Sequence, residues 1–186
     1  MSRPPNPLWD RLVLGLIVVV AFMVGWRFLR VGEATPMVPA GTPLPALEPE
    51  GWLNLPAGES FDPAGRLVVV DCWETTCGPC LADLPRLARI VANYSPRGVK
   101  FVSVTQETAA DLPAIRNVLA RTPGFDWPVA YGGFHFLQKL GVPGFPTVIL
   151  FGRDGTARWS GPGSYGLEAA LDAALAEPAA RRAPAS

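Results

Sequence analysis

An α/β sandwich, parallel at its centre and antiparallel at one end, is the fold class this sequence predicts, with one apolar helix ahead of it. Three observations carry that reading. Between residue 51 and about residue 176, β-branched runs alternate with segments of helical period. Near the C-terminal end, two strand-like runs flank Asp154-Gly155, a hairpin signal. Ahead of all this lies "LVLGLIVVVAFMVGW", Leu12–Trp26, which carries no charge.

The elements follow in order. "RLVVVDCW" (Arg66–Trp73) is a continuous β-branched run, as in a strand buried on both faces. Cys80–Tyr94 places apolar residues at 81, 84, 87, 90 and 91, one face of a helix. Gly98–Thr105 reads as a second strand, and Asp111–Arg121 as a helix with Pro113 in its first turn. "WPVAYG" reads as a short strand, and "HFLQKLG" as a short helix stopped by Gly141. "TVILFGRDGTARWSG" gives the hairpin, and "SYGLEAALDAALA" a closing helix capped by Ser164.

The flanks differ from this centre. A helix over Leu12–Leu29 would be ~27 Å long, the short end of a bilayer span. Arg11 and Arg27 can snorkel, and Trp9 and Trp26 suit the interfaces. A cleaved signal peptide is the rival, but no small-residue cleavage site closely follows the run. The expected organisation is a tail and anchor over 1–30, a Pro-rich linker over 31–50, a compact domain over 51–176 and a disordered tail over 177–186. The linker is expected to act as a semi-extended tether of up to ~60 Å.

Composition removes several function classes. Sixteen basic and sixteen acidic residues cancel, and no basic stripe points to nucleic acid. Three cysteines are too few for a disulfide framework, and a lone His135 leaves zinc short of ligands. The expected metal set is none. His135 reads as a surface or groove residue.

All three cysteines fall within "CWETTCGPC", Cys72–Cys80. Such a C-x-x-C can grip a metal, close a structural bridge or exchange electrons. Cys77 and Cys80 lie where a buried strand hands over to a helix. At a helix N-terminus, unpaired N–H groups and the dipole favour a thiolate on Cys77. Cys80 sits one turn further in. One sulfur can then attack while the other resolves the mixed disulfide. Cys72, on the opposite strand face from Asp71, reads as a buried inert thiol, with a third redox role as the sharper alternative.

"VVVDCWETTCGPCLADLP" resembles the thioredoxin active site, and more closely that of the membrane-anchored TlpA/ResA-type thiol–disulfide reductases. Trp73 and the Cys77-Gly78-Pro79-Cys80 tetrad match the motif, and Pro85 matches the helix-kinking proline. "GVPGFPT" (Gly141–Thr147) resembles the loop that carries the family's cis-proline, here Pro146. The resemblance covers about residues 45–176 and implies a thioredoxin-like three-layer α/β/α sandwich with a mixed central sheet.

It also implies roles. Cys77 is the nucleophile and Cys80 the resolving thiol; their disulfide is the redox centre, with no other cofactor. Asp71 takes the place of the buried carboxylate that relays a proton to the second cysteine; a solvated strand-edge Asp is the plain alternative. Asp83 stands where relatives carry Glu, and reads either as a possible proton relay or as an ordinary first-turn acid. Pro146 turns the Phe145 backbone toward an incoming substrate strand. Trp73, Thr76, Gly78, Pro79, Phe145 and Thr147 complete the expected substrate surface. Thr76 departs from the aromatic often found before the first cysteine.

The implied activity is reduction of client disulfides in the periplasm, from a single-pass inner-membrane tether. Implied partners are proteins with cysteine pairs, such as apocytochrome c or copper-site proteins of oxidase assembly, and a membrane electron donor. Two alternatives stay open. One is a Cu(I) chaperone using Cys77 and Cys80, for which Met1, Met23 and Met37 all lie outside the expected domain. The other is a disulfide oxidase.

Overall fold

The computed structural model describes residues 36–177 together with 13, 15–17, 19 and 20. The chain divides into two compact units, Met1–Thr35 and Pro36–Ser186. In the first, the described residues are helical and expose their apolar side chains. Most of the expected span over Leu12–Leu29, and the tail beyond Glu177, lie outside the described residues. Among the described residues, no helix is long and apolar enough to cross a membrane.

The second unit is built on a six-stranded sheet in the order β1-β4-β3-β2-β5-β6. The strands are β1 (Gly51–Leu53), β2 (Val68–Cys72), β3 (Lys100–Val104), β4 (Val129–Tyr131), β5 (Thr147–Phe151) and β6 (Ala157–Gly161). β2, β3 and β4 run parallel, whereas β1, β5 and β6 pair antiparallel to their neighbours. The helices are α1 (Gly78–Tyr94), α2 (Leu112–Arg121), α3 (Phe134–Leu140) and α4 (Leu167–Ala176).

Strand alternation in β2 sorts the core into two halves. Val69 and Trp73 face a cluster with Leu84, Leu87 and Ile90 of α1, Ile115 of α2, and Leu167 and Leu171 of α4. Val68, Val70 and Cys72 face the other way, onto Phe136, Leu137 and Leu140 of α3. Helices thus cover both faces of a mixed sheet, the three-layer arrangement that the resemblance implies. All five residues of β2 are buried because its neighbours β3 and β5 close both edges while helices close both faces.

Two expectations need correction. From Pro36 onward the expected tether is packed onto the domain. Gly41 N–H donates to Ala157 O (2.9 Å), Ala157 N–H to Thr42 O (2.8 Å) and Leu44 N–H to Gly155 O (2.8 Å). Val38 is 1% exposed and exchanges two hydrogen bonds with Ser160, N–H to Oγ at 2.8 Å and Oγ–H to O at 2.9 Å. Prolines forbid helix here but not an extended strap along an edge strand, where the residues between them still donate. Second, α4 begins at Leu167 rather than at a Ser164 cap; Gly166, at φ 84°, occupies the cap position. Ser164 is committed elsewhere, as described below. β1, three residues long, is too short to carry a periodic signal.

Candidate active site

The site forms at the end of β2. Trp73 leaves the strand, with its N–H donating to Val104 O at 3.1 Å, and Cys77 then caps α1. Cys77 has extended backbone (φ −83°, ψ 96°), and its Sγ accepts the Cys80 N–H at 3.2 Å. The sulfur therefore occupies the position that a capping oxygen takes at other helices, among N–H groups with no helical partner. Pro79 suits the first turn, where no N–H is required. Pro85 lies inside α1 and removes one helical donor.

Cys77 and Cys80 are joined as a disulfide, with Cα atoms 5.2 Å apart. Cys77 is half-buried and Cys80 is 2% exposed. Thr76, Gly78 and Pro79 are exposed around them. The two sulfurs are thus unequal in access, as an attacking and a resolving thiol require.

Asp71 is 5% exposed on the central strand, between Ser103 of β3 and Val148 of β5, so it is not a solvated strand-edge acid. It lies between Val69 and Trp73 on the sheet face that α1 covers, and Cys80 belongs to the same core. Its carboxyl is pushed up to about 7, chiefly by burial, against a downward pull from the Ser103 hydroxyl and with a further upward push from Asp83. Ser103 Oγ–H donates to Asp71 Oδ2 at 2.8 Å. On the opposite face, burial pushes the Cys72 thiol well up, and the Asp71 charge adds to this; Cys72 is a free, buried thiol.

The Phe145–Pro146 peptide is cis, in the loop leading into β5. Asp83 is tied to the segment Gly163–Ser164, which runs beside Pro146. It accepts from Ser164 twice, from N–H at 2.6 Å and from Oγ–H at 2.8 Å. A Cβ on Gly163, at φ +91°, would come 2.9 Å from Asp83 Oδ2 and 3.7 Å from Pro146 Cγ. Only glycine fits between the two.

Two residues expected on the substrate surface are not on it. Trp73 is 0% exposed, tilted against Phe125 with ring centroids 6.2 Å apart. Thr147 is 0% exposed, and its Oγ1–H donates to Gly144 O at 2.6 Å. Both support the surface from beneath, because each lies on or beside a strand closed by neighbours. Phe145 is half-buried and lines a groove of about 340 Å³ with Gln106, Phe134, Leu137 and Pro143. Met37, expected outside the domain, lies on it, with its Sδ 3.6 Å from Thr147 Oγ1. His135 is exposed, set edge-on to Phe134. Among the described residues, no three of His, Cys, Asp and Glu gather as a metal site.

Glu107 carries no motif signal, yet it braces the loop before Cys77. Its carboxylate accepts from Thr75 N–H (3.1 and 3.2 Å to the two oxygens), from the Thr75 hydroxyl, and from Thr105 Oγ–H at 2.9 Å. Beside it, Gln106 Nε2 donates to Glu74. The nearest sequence hint is an acid two residues past the predicted strand Gly98–Thr105.

Comparison with known proteins agrees with this geometry. A family model described as Redoxin matches residues 39–175. The thiol-disulfide oxidoreductase ResA of Bacillus thuringiensis (strain Al Hakam) is 29% identical over 98 residues, covering 52% of this chain and 55% of the relative. The chain spans about half the length of the curated ResA relatives it matches. A solved structure from Chlorobium tepidum, described provisionally as a thiol:disulfide interchange protein DsbE, superposes with a TM-score of 0.61 at 26% identity, over 74% of this chain and 99% of that one. A thiol-disulfide isomerase from Corynebacterium glutamicum shares the fold, with a TM-score of 0.62 at 23% identity over 74% and 98% of the two chains. Since the family match runs through nearly all of the folded unit, cysteines and cis-proline loop included, the chain belongs to the Redoxin family and carries a thioredoxin fold.

Proposed function

We propose that this chain is a membrane-tethered thiol–disulfide oxidoreductase that reduces disulfides of client proteins. The observation that carries the reading is the inequality of the two sulfurs: Cys77 half-buried at a helix N-terminus, Cys80 buried one turn in. In the reduced protein the Cys77 thiolate attacks a client disulfide. The client S–S bond breaks, one client sulfur leaves as a thiolate, and a Cys77–client disulfide forms. Cys80 then gives its proton to Asp71 and attacks the Cys77 sulfur. The Cys77–Cys80 bond forms, the second client sulfur leaves, and two electrons have passed to the client.

A carboxyl that titrates near 7 suits this transfer, because it can both take and return a proton at neutral pH. Pro146, Phe145, Thr76, Gly78 and Pro79 frame the client surface, and Asp83 sets the loop beside Pro146. The proposed tether is a helix over Leu12–Leu29, built on the uncharged run Leu12–Trp26, with the folded unit on the extracytoplasmic side of the inner membrane, the usual arrangement for such an anchor. Clients are proteins with cysteine pairs, as in cytochrome c or oxidase copper-site assembly. A membrane dithiol donor returns the enzyme to its reduced state.

The test is equilibration of the protein in glutathione and dithiothreitol buffers. A potential near ~−270 mV supports reduction, and one near ~−120 mV would make it an oxidant instead. Cu(I) titration of the reduced protein tests the rival carrier reading.

A further inference from the structure

Asp71 is the terminus of a short polar chain that runs through the core. Trp127, 4% exposed, lies just ahead of β4 and stacks on Phe125 with centroids 3.8 Å apart and planes at 11°. Its Nε1–H donates to Ser103 Oγ at 2.8 Å, and Ser103 Oγ–H donates to Asp71 Oδ2 at 2.8 Å. Ser103 is 0% exposed.

The direction of this chain is fixed by chemistry. An indole nitrogen can only donate. Ser103 Oγ therefore accepts from Trp127, and its single hydrogen is left for Asp71. A proton placed on Oδ2 would oppose that hydrogen, and the buried hydroxyl, whose side-chain partners are Asp71 and Trp127, can turn away only by leaving its own hydrogen without an acceptor. We propose that Trp127 and Ser103 are positioning residues for the second half of thiol exchange, holding Oδ2 of Asp71 as a permanent acceptor and leaving Oδ1 to take and return the Cys80 proton. This rests on the reading of Asp71 as the proton acceptor.

The surroundings leave few other groups to do this. On β2 itself the titratable neighbour is Cys72; from α1 come Asp83, Cys77 and Cys80. The strand partners Ser103 and Val148 are uncharged, and α4 contributes Leu167 and Leu171 to this face. Two neutral donors in series thus favour the ionised carboxylate against its burial, and hydrogen bonds in such a chain reinforce one another.

The test is the pH profile of mixed-disulfide resolution in the full chain, with a fluorescent peptide disulfide as probe. Ser103→Ala should move the midpoint of the rising limb upward by about one pH unit, which at pH 7 is about fivefold slower resolution. Trp127→Phe keeps an aromatic ring on Phe125 and should move it in the same direction by less; Ser103→Thr restores the hydroxyl and should restore the profile. If Ser103→Ala does not fold, Trp127→Phe decides alone. An unmoved midpoint in the variants that fold, with the limb abolished by Asp71→Asn, overturns the chain and leaves the role of Asp71 standing. A limb that survives Asp71→Asn overturns that role and the proposal with it.

Discussion

Glu107 holds Thr75 by both its backbone N–H and its hydroxyl, two residues before Cys77. The same carboxylate is anchored on Thr105 at the end of β3. The loop is therefore tied to the sheet by charge-assisted hydrogen bonds, each of order 1.5–3 kcal/mol when its partner is charged. Glu107→Ala should loosen residues 75–77, lower insulin reduction several-fold and cost about 1–3 kcal/mol of stability. Amide hydrogen exchange read beside turnover checks this. Unchanged exchange at Thr75 and Cys77 would remove Glu107 from the loop's support.

Asp83 and Ser164 form a second tie, from α1 to the segment ahead of α4. Both acceptor oxygens of Asp83 are engaged there, which favours an anchoring role over proton relay. Asp83→Ala and Ser164→Ala should each destabilise the fold, and a double-mutant cycle in urea should show coupling of about 1 kcal/mol. Strictly additive losses would show that the contact contributes nothing.

Cys77 should react before Cys80. After mild reduction at neutral pH, iodoacetamide mapped by mass spectrometry should label Cys77 first, since it alone combines exposure with a helix N-terminus. Cys77→Ser should abolish insulin reduction, and Cys80→Ser should accumulate mixed disulfides that run as larger bands without reductant. Faster labelling of Cys80 would reverse the assignment.

Asp71 makes stability depend on pH in a definite direction. Its folded value of about 7 lies above the ordinary 3.8, so the native state binds more protons between those limits. Stability is fully present below about pH 4 and falls as pH rises through 7. Asp71→Asn removes the cost of a buried charge. Its stabilisation should therefore grow by about 2–3 kcal/mol between pH 5 and pH 8, measured by urea unfolding of the oxidised protein. An equal effect at both pH values would mean that Asp71 is not held neutral by the fold.

Much of this was legible from residue order. β2 reads from an unbroken β-branched run, and α3 from a short apolar period stopped by Gly141, which does adopt φ 64°. Period and stop signals are local, so they survive without tertiary context. The strap over residues 36–47 was not legible. Its prolines describe what the backbone cannot do, whereas its docking depends on the free edge of β6, more than a hundred residues away.

At the site, the order of residues by itself determined which groups are present: two cysteines spaced by Gly-Pro at a strand-to-helix junction, a carboxylate two residues before Trp73, and a proline loop ahead of β5. Only the tertiary structure decided which side chains face a client and which lie beneath it. Trp73 and Thr147 went inward, Ser164 turned from capping a helix to holding Asp83, and Ser103, Trp127 and Glu107 joined the site through hydrogen bonds to partners 24 to 32 residues away. Hydrogen-bond partners of buried polar groups are set by whichever neighbour the packing brings within 3 Å, and that distance is a property of the folded chain.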